Sequence, residues 1–192
     1  MTSPTPENRS LAKYLHTLLG GSPSVIEYWD DPKRSSVDVF RVADVPVSAV
    51  STYATLGLSD CPIGLTVEDV PLRVEFTFAL MTRYEEGMNY IATCAFSVIN
   101  DKVVPKPGVI LPRVLELYRP DDDLKHMMLC SPSLWNLETQ NFPSKKVAWL
   151  QLIPISDAER NYALSNGSEA LEDIFEREQV DVTDLDRPSV LK

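Results

Sequence analysis

From Leu72 to Leu80 the chain alternates strictly. Leu72, Val74, Phe76, Phe78 and Leu80 are apolar, while Arg73, Glu75, Thr77 and Ala79 between them are polar or small. A period of two puts the five apolar side chains on one face of a β-strand. A half-buried strand of this strength needs partners beside it and an apolar layer beneath it. The next segment supplies the layer. Between Tyr84 and Ile99 the residues Met88, Ile91, Ala92, Ala95, Phe96 and Ile99 recur at helical spacing, and Asn100-Asp101 ends the run.

Other segments supply the partners. Val25–Trp29, Val37–Val42 and Val50–Leu56 read as strands, the first two joined by a turn at Asp30-Asp31-Pro32. Val109–Leu111 returns to the sheet after a proline-bearing loop at 102–107, and Leu124–Cys130 reads as a further strand. Val147–Ile153 is apolar on nearly both faces, as a buried strand is, and Pro154 is expected to close it. Two helical stretches complete the set. Leu11, Tyr14, Leu15, Leu18 and Leu19 form one apolar face ahead of Gly20-Gly21, with His16 at its boundary. Ser156 and Glu159 form a capping box that opens a C-terminal helix, Asn166-Gly167 stops it, and Ser168 is the expected next N-cap. There Leu171, Ile174 and Phe175 pack inward, and residues 181–192 form a tail with room for a final strand. The fold class expected is α+β: a mixed, mostly antiparallel β-sheet with helices packed against it.

At 192 residues the chain suits one large domain, expected to span 10–192 behind a flexible N-terminus at 1–9. An apolar content of 44% with 24% charged residues excludes a wholly disordered chain. No run of 18 apolar residues exists, so no membrane association is expected. The start carries no basic-then-apolar leader, which points to the cytoplasm. Cys61, Cys94 and Cys130 match neither a disulfide framework nor a zinc site and read as buried free thiols.

The net charge is −10, which repels nucleic-acid phosphates and attracts basic proteins. The imbalance is local: residues 156–186 hold ten acids and two bases. The search for chemistry finds little. There is no Gly-rich phosphate loop, no G-x-S-x-G and no H-E-x-x-H, and the two histidines have no clustered ligands beside them. Asp121, Asp122 and Asp123 lack the alternating spacing of a calcium loop and read as a solvated turn. Glu75 on the polar face of its strand reads as half of a strand-face ion pair. No catalytic residue, cofactor or metal is expected, and the chain reads as a binding protein.

Three blocks resemble the suppressor of fused (SUFU) domain family. The first is Val25-Ile-Glu-Tyr-Trp-Asp30, then Val37-Asp-Val-Phe-Arg41 and Tyr53-Ala-Thr-Leu-Gly-Leu-Ser-Asp60. The second is the alternating strand Leu72–Leu80 with its embedded Glu75. The third is Trp149-Leu-Gln-Leu-Ile-Pro-Ile-Ser-Asp-Ala-Glu159, followed by Asn166-Gly-Ser-Glu-Ala-Leu171. His126-Met-Met-Leu129 and Asp184-Leu-Asp-Arg-Pro-Ser-Val190 extend the resemblance to about residues 24–190. The resemblance implies a protein-binding domain. The animal member clamps a strand-like peptide between two domains, of which this chain resembles the first. Short single-domain members are similar to bacterial immunity proteins encoded near polymorphic toxins.

The first functional reading is therefore a non-catalytic immunity protein that neutralises a toxin by direct binding. Its partner would be a basic toxin domain and the chain itself a monomer. Candidate contacts are Asp30 and Asp31, the run Asp121, Asp122 and Asp123, and the helix face Glu169, Glu172, Asp173 and Glu176. The second reading is an intracellular regulator or scaffold that binds a peptide by strand addition. An enzyme of unknown class ranks last.

Overall fold

The alternating segment forms β5 (Val70–Met81), the spine of a nine-stranded sheet. The structure is a computed structural model that describes residues 4–191. The sheet begins with β1 (Ser24–Trp29), β2 (Ser36–Ala43), β3 (Val50–Leu56) and β5. It continues through β9 (Lys146–Ser156), β7 (Leu124–Cys130) and β6 (Ile110–Leu111). Short strands β4 (Leu65–Val67) and β8 (Gln140–Asn141) pair with β5 and β9. β5 and β9 run parallel, and every other pair is antiparallel. Among the described residues the α-helices are α1 (Pro6–Leu19), α2 (Gly87–Ile99), α3 (Asp157–Asn166) and α4 (Ser168–Arg177). This is the mixed, mostly antiparallel α+β architecture that the hydrophobic patterning predicts.

Alternation along the strands divides the core in two. On one face Val39, Tyr53, Phe76, Phe78, Leu80, Leu150 and Leu152 meet Met88, Ile91, Ala95 and Val98 of α2. On the other, Leu11 and Leu15 of α1 sit on Phe40, Val42, Leu56 and Trp149. Further along that face, α3 and α4 bring Ala163, Leu171 and Phe175 onto Met128, Cys130, Ile153 and Ile155. Burying a side chain such as Phe76 contributes about 1.5–3 kcal/mol. Gly87 opens α2 because space demands it: a Cβ there would lie 2.4 Å from the ring of Tyr53.

Several boundaries differ from the sequence expectation, each for a local reason. Helix α1 starts at Pro6, where Thr5 Oγ1 accepts the Asn8 amide at 3.1 Å. The first three residues of the expected flexible start lie outside the described residues. Leu18 lies off the buried stripe and is 39% exposed. Gly167, not Ser168, caps α4. β9 runs through Pro154 to Ser156. Strand pairing between β5 and β9 stops at Phe78 and Leu152. Pro154 therefore turns its missing N–H towards an edge with no ladder to complete, and Arg187 donates to its carbonyl at 2.8 Å.

Residues 178–191 form no strand, only turns and irregular backbone. They nonetheless fill the gap where β5 and β9 part. The carbonyl of Thr183 accepts the Met81 amide at 3.0 Å, Leu185 is buried, and Val190 and Leu191 pack on the cluster under α3 and α4. Among the described residues, no helix is long and apolar enough to cross a membrane.

Candidate interaction surface

Glu169, Glu172, Asp173 and Glu176 fall at i, i+3, i+4 and i+7 and share one stripe of α4. The structure places all four around a groove of about 700 Å3. Its floor is apolar, built from Ile153 of β9 and Phe175 of α4, with Leu134 from the segment after β7. Val180 and Val182 of the C-terminal segment also line the groove.

The local sequence explains this placement. Ser156 Oγ accepts the Glu159 amide at 3.1 Å, and Glu159 Oε2 accepts the Ser156 amide at 2.9 Å, which starts α3 at the end of β9. Gly167 then adopts φ 96°, a conformation that favours glycine and lets α4 begin directly after α3. Phe175 lies beneath the guanidinium of Arg187, 5.1 Å from ring centroid to Cζ.

None of the four α4 carboxylates has an ion-pair partner among the described residues. Like charges at these spacings cost a helix about 0.2–0.5 kcal/mol per pair. Glu172 is half-buried. Burial raises its carboxyl above the ordinary range, the Cys130 thiol opposes that by donating to it, and Glu169 and Asp173 add to the rise. Burial also pushes the Cys130 thiol up, so it acts as a hydrogen-bond donor and not as a nucleophile. Cys94 is likewise buried, whereas Cys61 is only partly buried, short of the expectation for it.

The other expected contacts lie elsewhere. Asp121 and Asp123 are exposed, Asp122 pairs with Arg119, and the three line a cavity of about 290 Å3 with Lys125, Ser156 and Asp157. Nearby His126 is buried. The Arg113 amide donates to its Nδ1 at 2.9 Å, so Nε2 carries the proton and donates to Asp157 at 2.9 Å. Asp30 and Asp31 sit in the β1–β2 turn, at the opposite end of the sheet from α4. Asp30 is committed to that turn: Oδ1 accepts the amides of Arg34 at 2.7 Å and Ser35 at 3.2 Å, and Oδ2 accepts from Asn100 at 3.1 Å. Desolvation pushes its carboxyl up, but the Ser35 and Arg34 amides, the Asn100 side-chain amide and the Arg34 charge together outweigh it and hold the carboxyl below the ordinary range. Asp31 is exposed.

A second surface escaped the sequence reading. β1 is a terminal strand of the sheet, and its outer edge pairs with nothing among the described residues. Val25 and Ile26 are each 49% exposed there, and Trp29 is 46% exposed.

Glu75 requires a correction. Among the described residues it forms no ion pair, and it is fully buried. β3 pairs with β5 only from Thr77 onward and β4 only up to Leu72, which leaves a break on that edge of β5. Glu75 and Thr55 organise the break. Thr55 Oγ1 accepts the Phe76 amide at 2.8 Å and donates to Glu75 at 2.6 Å, and the Gly57 and Ser59 amides donate to Glu75 at 2.9 and 3.1 Å. Lys145 reaches the same turn but binds Ser59 and Asp60 instead. Burial raises the Glu75 carboxyl to about 7 against these hydrogen bonds. Among the described residues, no group of three or more His, Cys, Asp or Glu side chains is arranged to hold a metal ion.

Residues 33–188 match the suppressor of fused protein (SUFU) family. The chain belongs to the suppressor of fused family. It is 40% identical over 189 residues to the immunity protein YqcF of Bacillus subtilis strain 168, covering 97% of this chain and 98% of the relative. A suppressor of fused homologue from Neisseria gonorrhoeae superposes with a TM-score of 0.75 at 16% identity, over 96% of this chain and 97% of that one. A chain of a Sufu–Fu complex superposes with a TM-score of 0.70 at 15% identity, over 98% and 93%. Drosophila Suppressor of Fused gives 0.56 at 16% identity, over 88% of this chain but 42% of the Drosophila chain. The likeness to these three structures is one of fold.

Proposed function

We propose that this chain is an immunity protein that neutralises a toxin by binding it directly, without catalysis. It acts in the cytoplasm as a monomer, and its partner is a basic toxin domain. The observation that carries the reading is the end-to-end match to the Bacillus subtilis immunity protein. The acidic α4 stripe over an apolar floor supports the mode of action, because it offers both charge and buried area to a basic surface. Asp121, Asp123 and Asp31 add to the field that draws the partner in, while Asp30 and Asp122 spend theirs within the fold. Occlusion is the mechanism: the bound chain covers the surface that the toxin needs. The test is growth of a host expressing the toxin domain encoded beside this gene, with and without this chain. Rescue together with a one-to-one complex supports the proposal, and arrest that persists with no complex ends it.

The free edge of β1 favours a second reading, in which the chain regulates or scaffolds a partner by adding its peptide as a further strand. A short extended peptide would then bind as well as the folded partner, whereas an immunity protein requires the folded toxin.

A further inference from the structure

We infer that the groove beside α4 receives an amphipathic, cationic helix of the protein partner. The inference rests on the protein-binding reading above and adds the kind of element that is bound. Two features of the groove point to a helix. The first is the shape of the charge. Four carboxylates fall within eight residues of α4, seven helical steps or a stripe of about 10 Å at the helical rise. All of the charge in the groove lining comes from α4, since Ser133, Leu134, Ile153, Val180 and Val182 from the other segments carry none. A helix laid along α4 repeats its own side chains at i, i+3, i+4 and i+7, so its Lys and Arg residues meet the carboxylates in register. An extended strand covers the same distance with about three residues, of which only one or two face the rim. It cannot satisfy four carboxylates at once.

The second feature is the floor. Ile153 and Phe175, both almost fully buried, line the same groove as the carboxylates, so an apolar ridge beside the basic stripe is covered as the charges meet. Exposed ion pairs are worth little singly, so the rim sets arrival and register while the apolar seam sets lifetime. An element that carries only charge would gain the first effect without the second.

The test uses two synthetic peptides of about five helical turns, with identical Leu and Lys content. One is patterned with a period of 3.6 and the other with a period of two. Each is titrated into the full chain by calorimetry and by amide NMR. The expected result is that the helical pattern binds at least about tenfold more tightly than the alternating one. Its shifts should gather on α4, on 133–134 and on 180–182. The double substitution Glu169→Lys with Glu176→Lys should remove most of that binding, while Asp121→Lys with Asp123→Lys leaves it. Equal affinity for the two peptides overturns the inference, as does equal loss from the two double substitutions, because either result means attraction by bulk charge alone. A helical peptide that fails while the toxin domain still binds ends this inference and leaves the immunity reading standing. That reading falls to the growth test instead.

Discussion

Glu159 and Arg187 meet as a buried, two-pronged ion pair, with Nη1 to Oε1 at 2.7 Å and Nη2 to Oε2 at 2.9 Å. They lie 28 residues apart. The same carboxylate accepts the Ser156 amide that opens α3 and the Val190 amide of the tail, each at 2.9 Å. One side chain thus joins the end of β9, the start of α3 and the C-terminal segment.

Arg187→Ala leaves the Glu159 charge buried with only backbone amides for company. Breaking such a pair costs about 3–5 kcal/mol. The loss should be read by urea unfolding as a lower midpoint. Arg187→Lys should recover little, because an ammonium cannot span both carboxylate oxygens as the guanidinium does.

Glu75 gives stability a pH dependence of unusual sign for a carboxylate. An unfolded glutamate titrates near 4.5 and the folded Glu75 at about 7, so between those values the folded chain holds the proton more tightly. Its contribution to stability is therefore full below about pH 4.5, falls as pH rises towards 7, and is flat above. The decline is at most about 3 kcal/mol. In Glu75→Gln the unfolding free energy should change less between pH 5 and pH 8 than in the parent chain. An unchanged pH slope would show that Glu75 does not titrate in this range.

Gly87→Ala forces a methyl group against the Tyr53 ring. Both groups are packed between α2 and the sheet, and overpacking of this kind costs about 1–3 kcal/mol or more. Thermal unfolding should report a clear fall in Tm. Tyr53→Phe in the same background should not restore it, because the closest ring atom is Cζ and not the hydroxyl.

Charge reversal on α4 should act on arrival. In Glu169→Lys with Glu176→Lys, the association rate with a basic partner should drop by about tenfold at low salt, and its salt dependence should flatten. Stopped-flow measurements across a salt series check both. Stability should hold or rise slightly, since the substitutions relieve repulsion within the helix.

Much of the fold was legible where its period is local. The alternation at Leu72–Leu80, the helical spacing at Leu11–Leu19 and the capping box at Ser156 and Glu159 each fix an element within a dozen residues. The acidic stripe of α4 was legible for the same reason. Its groove was not, because Leu134, Ile153 and Val182 come from three distant segments that share no period. Glu75 misled for a related reason. Alternation says which way a side chain points but not what covers that face, and here a turn from 57 to 60 covers it. The tail carries no periodic signal at all. It is held by single long-range bonds such as those of Arg187.

Phe175 has two sides with different duties. One lies beneath the Arg187 guanidinium, and the ring also forms part of the groove floor. Val180 and Val182 in the same groove belong to the segment that Arg187 fastens down. Opening of that segment consequently takes Val180 and Val182 out of the groove lining. Anything seated in the groove must slow hydrogen exchange and proteolysis in the last dozen residues, far beyond the few side chains it touches. The lifetime of the groove is set by how often the end of the chain lets go.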